Sequence, residues 1–256
     1  MPSLVYCLGR LEKICLYVNI IAHFRLKQYT NFINTMTHIL KILDIQAVTH
    51  DVKQYKLEKP KGYFFIPGQA TEVAINKVNW ESEFRPFTFT SLPEEPHLEF
   101  VIKSYPDHDG VTDQLNKLNV GDELILDDSW GAIQYKGKGV FIAGGAGITP
   151  FIGIFRALEA KNKLTGNTLI FANKTAEDVI LESYFRKALG NNFISILAEE
   201  EMGGHQHGMI DKDFIKAHVK EYNQEFYVCG PDLMVKEISK ILKDLGANPE
   251  AITFEK

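Results

Sequence analysis

The chain has 256 residues, of which 45% are hydrophobic and 24% are charged, and these ordinary values exclude a disordered chain. This length allows one large domain or two domains of about 120 residues each. The formal net charge of −5 argues against a nucleic-acid-binding surface and favours a small molecule or a protein as the partner.

The first 35 residues carry a local charge of +3, which leaves −8 for the rest of the chain. Their uncharged run 14–24 is too short to cross a bilayer, which needs about 20 apolar residues, and no small-residue cleavage site follows it. Two interpretations remain open: a surface-anchoring amphipathic helix, or a leader that is not native because Met36 is the natural start. We predict the second, an N-terminal extension over 1–35 and no transmembrane segment.

From residue 36 to about residue 135, short β-prone runs alternate with turns rich in Pro and Gly. The runs are 39–43, 48–57, 70–75, 84–90, 97–104 and 122–126, and one helix is predicted over 112–118. Short strands at this spacing predict an antiparallel six-stranded Greek-key β-barrel.

After a Gly- and Lys-rich linker at 136–139, strand-like and helix-like segments alternate to the end of the chain. Strands are predicted at 140–143, 168–172, 193–197, 225–228 and 251–254, and helices at 150–158, 178–189, 211–219 and 231–245. This alternation predicts a Rossmann-like α/β domain with a parallel sheet covered on both faces. The fold class is therefore β + α/β, and ligands of the second domain are expected at the carboxyl ends of its strands.

The first strand of the α/β domain is followed by Gly144, Gly145, Ala146 and Gly147, a turn whose backbone N–H groups can approach a pyrophosphate. Pro150 follows where the first residue of a helix is expected. The turn is not G-x-G-x-x-G and no P-loop lysine follows it. Taken alone, it favours ligand binding only modestly over tight packing.

The cysteines are few, and one of them lies at the end of a predicted strand. Cys229 precedes Gly230 and Pro231, which end the strand and start a helix. A buried cysteine is usually inert packing, and beside a ligand crevice a functional role is about equally well supported. Cys7 and Cys15 complete a sparse, odd set without a Cys-x-x-Cys pair, which excludes a zinc ribbon or ferredoxin-type iron–sulfur site and predicts a reducing, cytoplasmic location.

A strand of the barrel carries Arg85, Pro86, Phe87 and Thr88. The arginine offers a planar fork for a pyrophosphate, the phenylalanine a stacking ring, and the threonine a hydroxyl donor. Alternation places Arg85 and Phe87 on one face of the strand and Thr88 on the other. In isolation, an aromatic-rich strand with a solvated arginine explains this stretch better than a ligand site does.

These motifs together, in this order and spacing, resemble those of the ferredoxin–NADP reductase superfamily from about Met36 to the C-terminus. The resemblance implies an FAD-binding barrel over 36–135 and an NAD(P)-binding α/β domain over 136–256. It also implies that Arg85 pairs with the FAD pyrophosphate, that Phe87 stacks on the isoalloxazine, and that Thr88 donates a hydrogen bond to flavin N5. Phenylalanine in place of the family's tyrosine forfeits a phenolic hydrogen bond but keeps the stacking surface.

The resemblance assigns further cofactor-binding positions in both domains. The FAD ribityl and phosphate region is lined by Val101, Ile102 and Lys103, and the pyrophosphate faces a helix start at Gly110, Val111 and Thr112, with Thr112 as the capping hydroxyl. The nicotinamide dinucleotide lies on Gly145, Ala146, Gly147, Ile148, Thr149 and Pro150, and its nicotinamide C4 lies beside Cys229, Gly230 and Pro231. Thr88, Cys229 and Glu255 are the implied catalytic residues, the last of them in proton transfer.

Two segments bear on the choice between NADH and NADPH. Lys174 follows the second strand of the parallel sheet and could accept a 2′-phosphate, whereas the acidic run 199–201 after the third strand would repel it. Taken together, these two segments weakly favour NADH over NADPH as the electron donor. His205 and His207 have alternating spacing without an evident third ligand, so solvated loops explain them better and no metal site is predicted.

The predicted function is that of an enzyme. NAD(P)H gives a hydride to FAD, and single electrons then pass to a separate acceptor protein such as a flavodoxin, a ferredoxin or an oxygenase component. Candidate docking residues for an acidic acceptor are Lys53, Lys56, Lys59 and Lys61. Reduction of free flavin is the competing activity, and a non-catalytic flavin- or nucleotide-binding regulatory module is the alternative outside enzymology.

Overall fold

The structure, a computed structural model, describes residues 37–131 and 133–254. The predicted extension 1–35 and the predicted catalytic Glu255 lie outside the described residues.

The first half of the described chain forms six antiparallel strands in the spatial order β4-β3-β6-β1-β2-β5. The strands are β1 His38–Ala47, β2 Val52–Glu58, β3 Ala70–Ile75, β4 Arg85–Thr88, β5 His97–Lys103 and β6 Glu123–Leu126. The two ends of this sheet meet where Phe89 bridges to Phe100 and the Thr90 N–H donates to the Glu99 carbonyl at 2.8 Å. The sheet is therefore a nearly closed barrel, which confirms the predicted fold.

Alternating apolar residues explain why these segments pair as strands around one core. Leu40 and Ile42 of β1 and Leu124 and Leu126 of β6 point inward, and they pack against Phe65, Phe89 and Phe100. Helix α1, Val111–Asn116, closes one end of the barrel through buried Val111 and Leu115. Strand β2 contacts the last turn of α1, because the Tyr55 hydroxyl donates to the Leu115 carbonyl at 3.0 Å.

The second half forms a parallel sheet in the order β10-β9-β8-β7-β11-β12, as expected for an α/β domain. Its strands are β7 Gly139–Gly144, β8 Thr168–Asn173, β9 Phe193–Leu197, β10 Gln206–His207, β11 Glu225–Cys229 and β12 Ile252–Phe254. Its helices are α2 Thr149–Ala160, α3 Glu182–Leu189, α4 Lys212–His218 and α5 Asp232–Asp244.

Both faces of the parallel sheet are covered, because successive residues of β7 enter different cores. Phe141 packs with Phe151 and Phe155 of α2, whereas Val140 and Ile142 join a second cluster on the α5 side of the sheet. The first of these clusters also takes in Val52, Val101 and Ile133 from the barrel half of the chain. One apolar core therefore continues from the barrel into the α/β domain and holds the two together.

The junction between the two halves is packed against β11. The Tyr227 hydroxyl accepts hydrogen bonds from the N–H groups of Lys136 and Gly137, at 2.8 and 3.0 Å, and donates to the Gly137 carbonyl at 2.9 Å. Burial is the largest cause that raises the pKa of this tyrosine above its ordinary value. The predicted linker at 136–139 is thus anchored in place; the exact domain bounds, 36–135 and 136–256, stay a prediction.

Candidate functional site

The barrel wall has an unpaired stretch between β4 and β5. The register of the Phe89–Phe100 bridge would continue by pairing Thr88 with Val101, but among the described residues Thr88 is paired on its β3 side alone, with Ala70. Within the described residues β4 and β5 form no ladder with each other and stand at opposite ends of the sheet order. We call this stretch, Arg85–Thr88 facing 101–103, the β4–β5 seam. Its two edges carry two of the segments that were predicted to bind flavin.

The residues on the β4 edge differ in how firmly they are held. Thr88 is 7% exposed, and none of the described residues forms a hydrogen bond with its hydroxyl. Phe87 is half-buried against the barrel core, and Pro86 is exposed. The Arg85 side chain is half-exposed; its guanidinium donates to the carbonyl of residue 84 at 2.6 Å and lies 3.5 Å from the Glu83 carboxylate. Because these two partners are sequence neighbours, the Arg85 guanidinium can turn toward a bound anion with little loss of folding free energy.

The side chains on the β5 edge are engaged elsewhere. Val101 packs in the core shared with the α/β domain, and Ile102 packs in the barrel core. The Lys103 ammonium lies 2.8 Å from Asp51 and 3.4 Å from Asp178. Burial lowers the pKa of Lys103, but the two carboxylates outweigh it and raise the pKa above its usual value. Lys103 is therefore neutralised by protein carboxylates, and any contact of this edge with flavin would come from its backbone.

The helix start at 110–112 differs from the prediction in one respect. Gly110, not Thr112, is the N-cap residue of α1, and the structure gives this helix no side-chain cap. The prediction that Thr112 caps the helix is therefore wrong, because Thr112 is already the second helical residue. Asp113, the third helical residue, is buried, and its carboxylate lies 2.7 Å from the Lys117 ammonium.

Two glycine-containing turns meet at the carboxyl end of the parallel sheet. β7 and β11 are neighbours, and Ala143 is paired with Cys229. A Cβ atom on Gly147 would lie 2.5 Å from the Cys229 carbonyl carbon, and one on Gly230 would lie 3.1 Å from the Gly144 nitrogen. We call Gly144, Gly147 and Gly230 the glycine cradle. Only glycine at these positions lets the two turns come so close to each other. The close approach brings both predicted nicotinamide-binding segments together.

The rest of the turn leads directly into α2. Residues 145–148 form one 3₁₀ turn, in which Ile148 is buried and Gly145 and Ala146 are half-buried. The helix begins at Thr149, one residue earlier than predicted, so Pro150 is its second residue and not its first. Proline at this position loses no hydrogen bond, because the N–H groups of the first helical turn have no partner within the helix. Cys229 is 5% exposed, and Pro231 is the N-cap residue of α5.

A cavity of about 480 Å³ lies between the barrel and the carboxyl edge of the sheet. Its walls come from the β1–β2 turn, from the segment after β5, and from the segments after β8 and β9. Buried Ser104 lines it, and the Ser104 hydroxyl has no hydrogen-bond partner among the described residues. The same holds for both side-chain amide atoms of Asn173, an 8%-exposed residue that ends β8. Such buried orphan groups suit a polar ligand, since leaving one unpaired costs about 1–3 kcal/mol.

Neither Ser104 nor Asn173 was predicted from the sequence to contact a ligand. The available signal was their position, because Ser104 directly follows β5 and Asn173 is the last residue of β8. Polar residues at that place commonly reach the ligand crevice of a parallel sheet.

The charges at the far side of this cavity are mostly negative. Glu199 lines the cavity, and its carboxylate lies 3.6 Å from the exposed Lys174 ammonium. Glu200 is used locally, because its carboxylate accepts the Ala176 N–H at 2.7 Å. Of the acidic run at 199–201, Glu199 is thus the residue that a bound nucleotide in the cavity would meet.

The remaining sequence-predicted groups are dispersed. The His205 ring contacts the Ser195 hydroxyl at 2.9 Å, and the His207 ring contacts the Glu200 carbonyl at 3.0 Å, so the two do not converge. His50, Asp51 and Asp178 do converge, with ligand atoms within 4.8 Å of one another, but the Lys103 ammonium already bridges the two carboxylates.

The predicted lysine patch is partly used by the barrel itself. The Lys53 ammonium donates to the Asn116 carbonyl at 2.7 Å, and that of Lys59 to the Glu95 carbonyl at 3.2 Å, whereas Lys61 is exposed. Its role in docking stays a prediction. Among residues 37–131 and 133–254, no helix combines the length and the apolarity that a bilayer crossing requires. The cytoplasmic location stays a prediction as well.

Two models of known protein families match different halves of the chain. Residues 39–135 match the model of the oxidoreductase FAD-binding domain, and residues 141–240 match that of the oxidoreductase NAD-binding domain. The β4–β5 seam lies in the first match, and the Gly144–Gly147 turn and the Cys229–Pro231 segment lie in the second.

Known proteins resemble most of the length of the chain. The chain is 28% identical to NADH-cytochrome b5 reductase 2 of Aspergillus niger over 248 residues, covering 83% of this chain and 76% of that protein. It is 27% identical to NADH–cytochrome b5 reductase 1 of Arabidopsis thaliana, covering 82% and 80%. A ferredoxin NADP⁺ reductase from Neisseria gonorrhoeae, solved with bound FAD and NADP, has the same fold, with a TM-score of 0.75, 21% identity, and coverage of 86% and 98%.

Proposed function

The chain belongs to the ferredoxin–NADP reductase superfamily as an NAD(P)H-dependent FAD oxidoreductase, and on that premise we propose that it moves electrons from NADH to a separate small redox protein. One observation carries the proposal: a single helix, α2, starts at the Gly-rich turn and packs on the end of the β4–β5 seam. A Cβ atom on Gly153 of α2 would lie 2.9 Å from the Phe89 carbonyl oxygen. Four residues of helix, about 6 Å, separate it from Thr149.

The residues present fit the two cofactors. The seam offers an unpaired strand edge, the orphan hydroxyl of Thr88 and the adjustable guanidinium of Arg85 for a flavin dinucleotide. The glycine cradle and the amide of Asn173 offer close backbone approach and polar contact for a nicotinamide dinucleotide. When bound, FAD supplies the hydride-accepting and electron-releasing chemistry, which no side chain of the protein can perform.

The protein's own residues bind, orient and exclude water. Arg85 would neutralise pyrophosphate charge through two parallel N–H groups, and Phe87 would offer a ring for stacking. The Thr88 hydroxyl would donate to the flavin, and Cys229 would fill the space beside the nicotinamide with a compact, weakly polar thiol. Val101 and the shared core around Phe141 keep water out of the contact between the domains, which strengthens each polar interaction there.

Glu199 is the basis for the proposed preference for NADH. Its carboxylate lines the cavity, and a 2′-phosphate placed there would meet a like charge that Lys174 only partly offsets. Replacing Glu199 by Gln is expected to raise kcat/KM for NADPH about tenfold, about 1.4 kcal/mol, with a much smaller change for NADH. The exposed Glu201→Gln variant is the matched control. Equal effects of both substitutions on NADPH would show that general charge, and not Glu199, sets the preference.

The acceptor is proposed to be a small one-electron carrier. The relatives named above are reductases of cytochrome b5, and the structural neighbour is named for ferredoxin. A ferredoxin, a flavodoxin, a cytochrome b5-type haem protein or an oxygenase component fits this role. Reduction of free flavin is the second candidate activity, and it predicts turnover that does not saturate with any protein acceptor.

The experiment that tests this proposal has two steps. Purified protein is expected to contain FAD by absorbance, and that absorbance is expected to bleach on anaerobic mixing with NADH faster than with NADPH. The reduced protein is then mixed with ferredoxin, flavodoxin, cytochrome b5 or free FMN, and reoxidation is followed. Protein that binds no flavin, or that binds flavin without being reduced by either nucleotide, would instead support a non-catalytic binding module.

A further inference from the structure

The polar contact between α2 and the end of the seam is formed by one arginine. The Arg156 guanidinium donates to the Thr90 carbonyl at 2.7 Å, to the Glu99 carboxylate at 3.2 Å and to the Glu95 carboxylate at 2.6 Å. All three acceptors belong to the barrel: Thr90 and Glu95 lie in the segment that connects β4 to β5, and Glu99 lies in β5. The donor lies on the first helix of the α/β domain.

The acceptors are themselves fixed. Glu99 is 4% exposed; its carboxylate also accepts the Thr90 hydroxyl at 2.8 Å, and its backbone N–H donates to the Ser91 hydroxyl at 3.1 Å. The Glu95 carboxylate accepts the Leu92 N–H at 2.7 Å. Arg156 therefore binds a rigid hydrogen-bonded frame, and planar guanidinium donors hold such a frame in a single orientation.

The position of this frame links the two cofactor-binding segments. Thr90, which Arg156 contacts, is two residues from Thr88 on the flavin side. Thr149, the start of α2 after the Gly-rich turn, is seven residues from Arg156, about 10 Å along the helix. Since α2 is one continuous helix, a shift of the helix at Arg156 would also move the Gly-rich turn from which the helix starts.

From this geometry we propose that Arg156 is a positioning residue for hydride transfer: it sets the distance between the nicotinamide turn and the flavin strand without touching either cofactor. The inference rests on the proposed function and extends it to a residue outside both binding sites. Reacting atoms must approach to about 3–3.5 Å, and a displacement of about 1 Å can cost a hundredfold in rate. A residue that only stabilised the fold would leave the reduction rate unchanged once NADH is saturating.

The test compares Arg156→Ala and Arg156→Lys with Arg186→Ala. Arg186 is the matched control, because it pairs with Glu182 and the Gly204 carbonyl inside the α/β domain. At saturating NADH, Arg156→Ala is expected to slow flavin reduction about ten- to a hundredfold, with FAD content unchanged and NADH affinity within about threefold. Arg156→Lys should recover part of the rate, because a lysine keeps the charge but not the planar fork. Arg186→Ala should reduce flavin at the wild-type rate.

A second readout needs no turnover. Backbone hydrogen exchange of the protein as purified, without NADH, is expected to accelerate in Arg156→Ala only at 88–100 and 144–156, whereas Arg186→Ala should affect the region around 182–205. If Arg156→Ala does not fold, Glu99→Gln replaces it in both measurements. This variant removes the charge of one Arg156 partner while keeping the shape of the side chain. An unchanged reduction rate at saturation, or uniformly faster exchange along the whole chain, would overturn the proposal. If the wild type is not reduced by NADH, the proposed function fails, and the exchange pattern still decides whether Arg156 fixes the two segments.

Discussion

Replacing Arg85 by alanine is expected to weaken FAD binding about a hundredfold. Among the described residues the guanidinium forms its hydrogen bond with the residue-84 carbonyl and its ion pair with Glu83, both of them sequence neighbours, so little stability is lost when it is removed. A bidentate contact with pyrophosphate would add two charge-assisted hydrogen bonds, each worth about 1.5 kcal/mol at the lower end of the usual range. Together these give about 3 kcal/mol, or about a hundredfold in the dissociation constant. The affinity is measured by titrating apoprotein with FAD and following flavin fluorescence.

Two variants control this experiment. Arg85→Lys keeps the positive charge without the fork and is expected to bind FAD with intermediate affinity. Lys77→Ala removes another barrel cation, one paired with Asp122 at 2.9 Å, and is expected to leave FAD affinity unchanged. If Arg85→Ala binds FAD as tightly as the wild type, the assignment of Arg85 to the pyrophosphate is wrong.

Replacing Gly147 by alanine is expected to slow flavin reduction by NADH about a hundredfold while FAD remains bound. The new Cβ would lie 2.5 Å from the carbonyl carbon and oxygen of Cys229, so one of the two turns must shift by about 1 Å. Both turns belong to the predicted nicotinamide site, whereas the seam is built from other strands. Stopped-flow absorbance measures the reduction rate, and the flavin spectrum of the purified variant measures the FAD content.

Two glycines provide graded controls. Gly145→Ala lies in the same turn with open space around its Cβ position, but its φ of 51° imposes left-handed strain of about 1–2 kcal/mol. It is expected to lower stability and to slow reduction far less than Gly147→Ala. Gly203→Ala has open space and no positive φ, and it should match the wild type. A Gly147→Ala enzyme reduced at the wild-type rate would show that the close approach of the turns does not serve the nicotinamide.

The spacing of apolar residues along each element is the clearest structural information in the sequence itself. Leu40 and Ile42 alternate with exposed residues in β1, and β7 is buried throughout, in agreement with the barrel predicted from strand spacing and the parallel sheet predicted from strand–helix alternation. Elements without such a pattern were predicted poorly. β10, with only Gln206 and His207, was not predicted, because it forms only where the chain passes beside β9.

Element starts depended on local hydrogen bonds that periodicity does not reveal. Helix α3 was expected from residue 178 and begins at Glu182. Asp178 instead closes a capping box with Thr175 around a short 3₁₀ turn, and Leu181 then adopts a φ of 53°. In α1 the N-cap residue is Gly110 and not the predicted Thr112.

The candidate site shows the same division between local and distant information. The seam segments, the Gly-rich turn and the Cys229–Pro231 segment are contiguous motifs, so their residue types and order in the sequence were enough to propose their roles. The partners of Arg156 lie 57 and 61 residues away along the chain, and Lys103 meets Asp178 across 75 residues. Such ion pairs leave no periodic signal, because each is created only when the strand order brings two distant side chains to one place. Tertiary structure alone therefore decided which charges face a ligand and which neutralise one another, since a charge's partner depends on topology and burial and not on its neighbours in sequence.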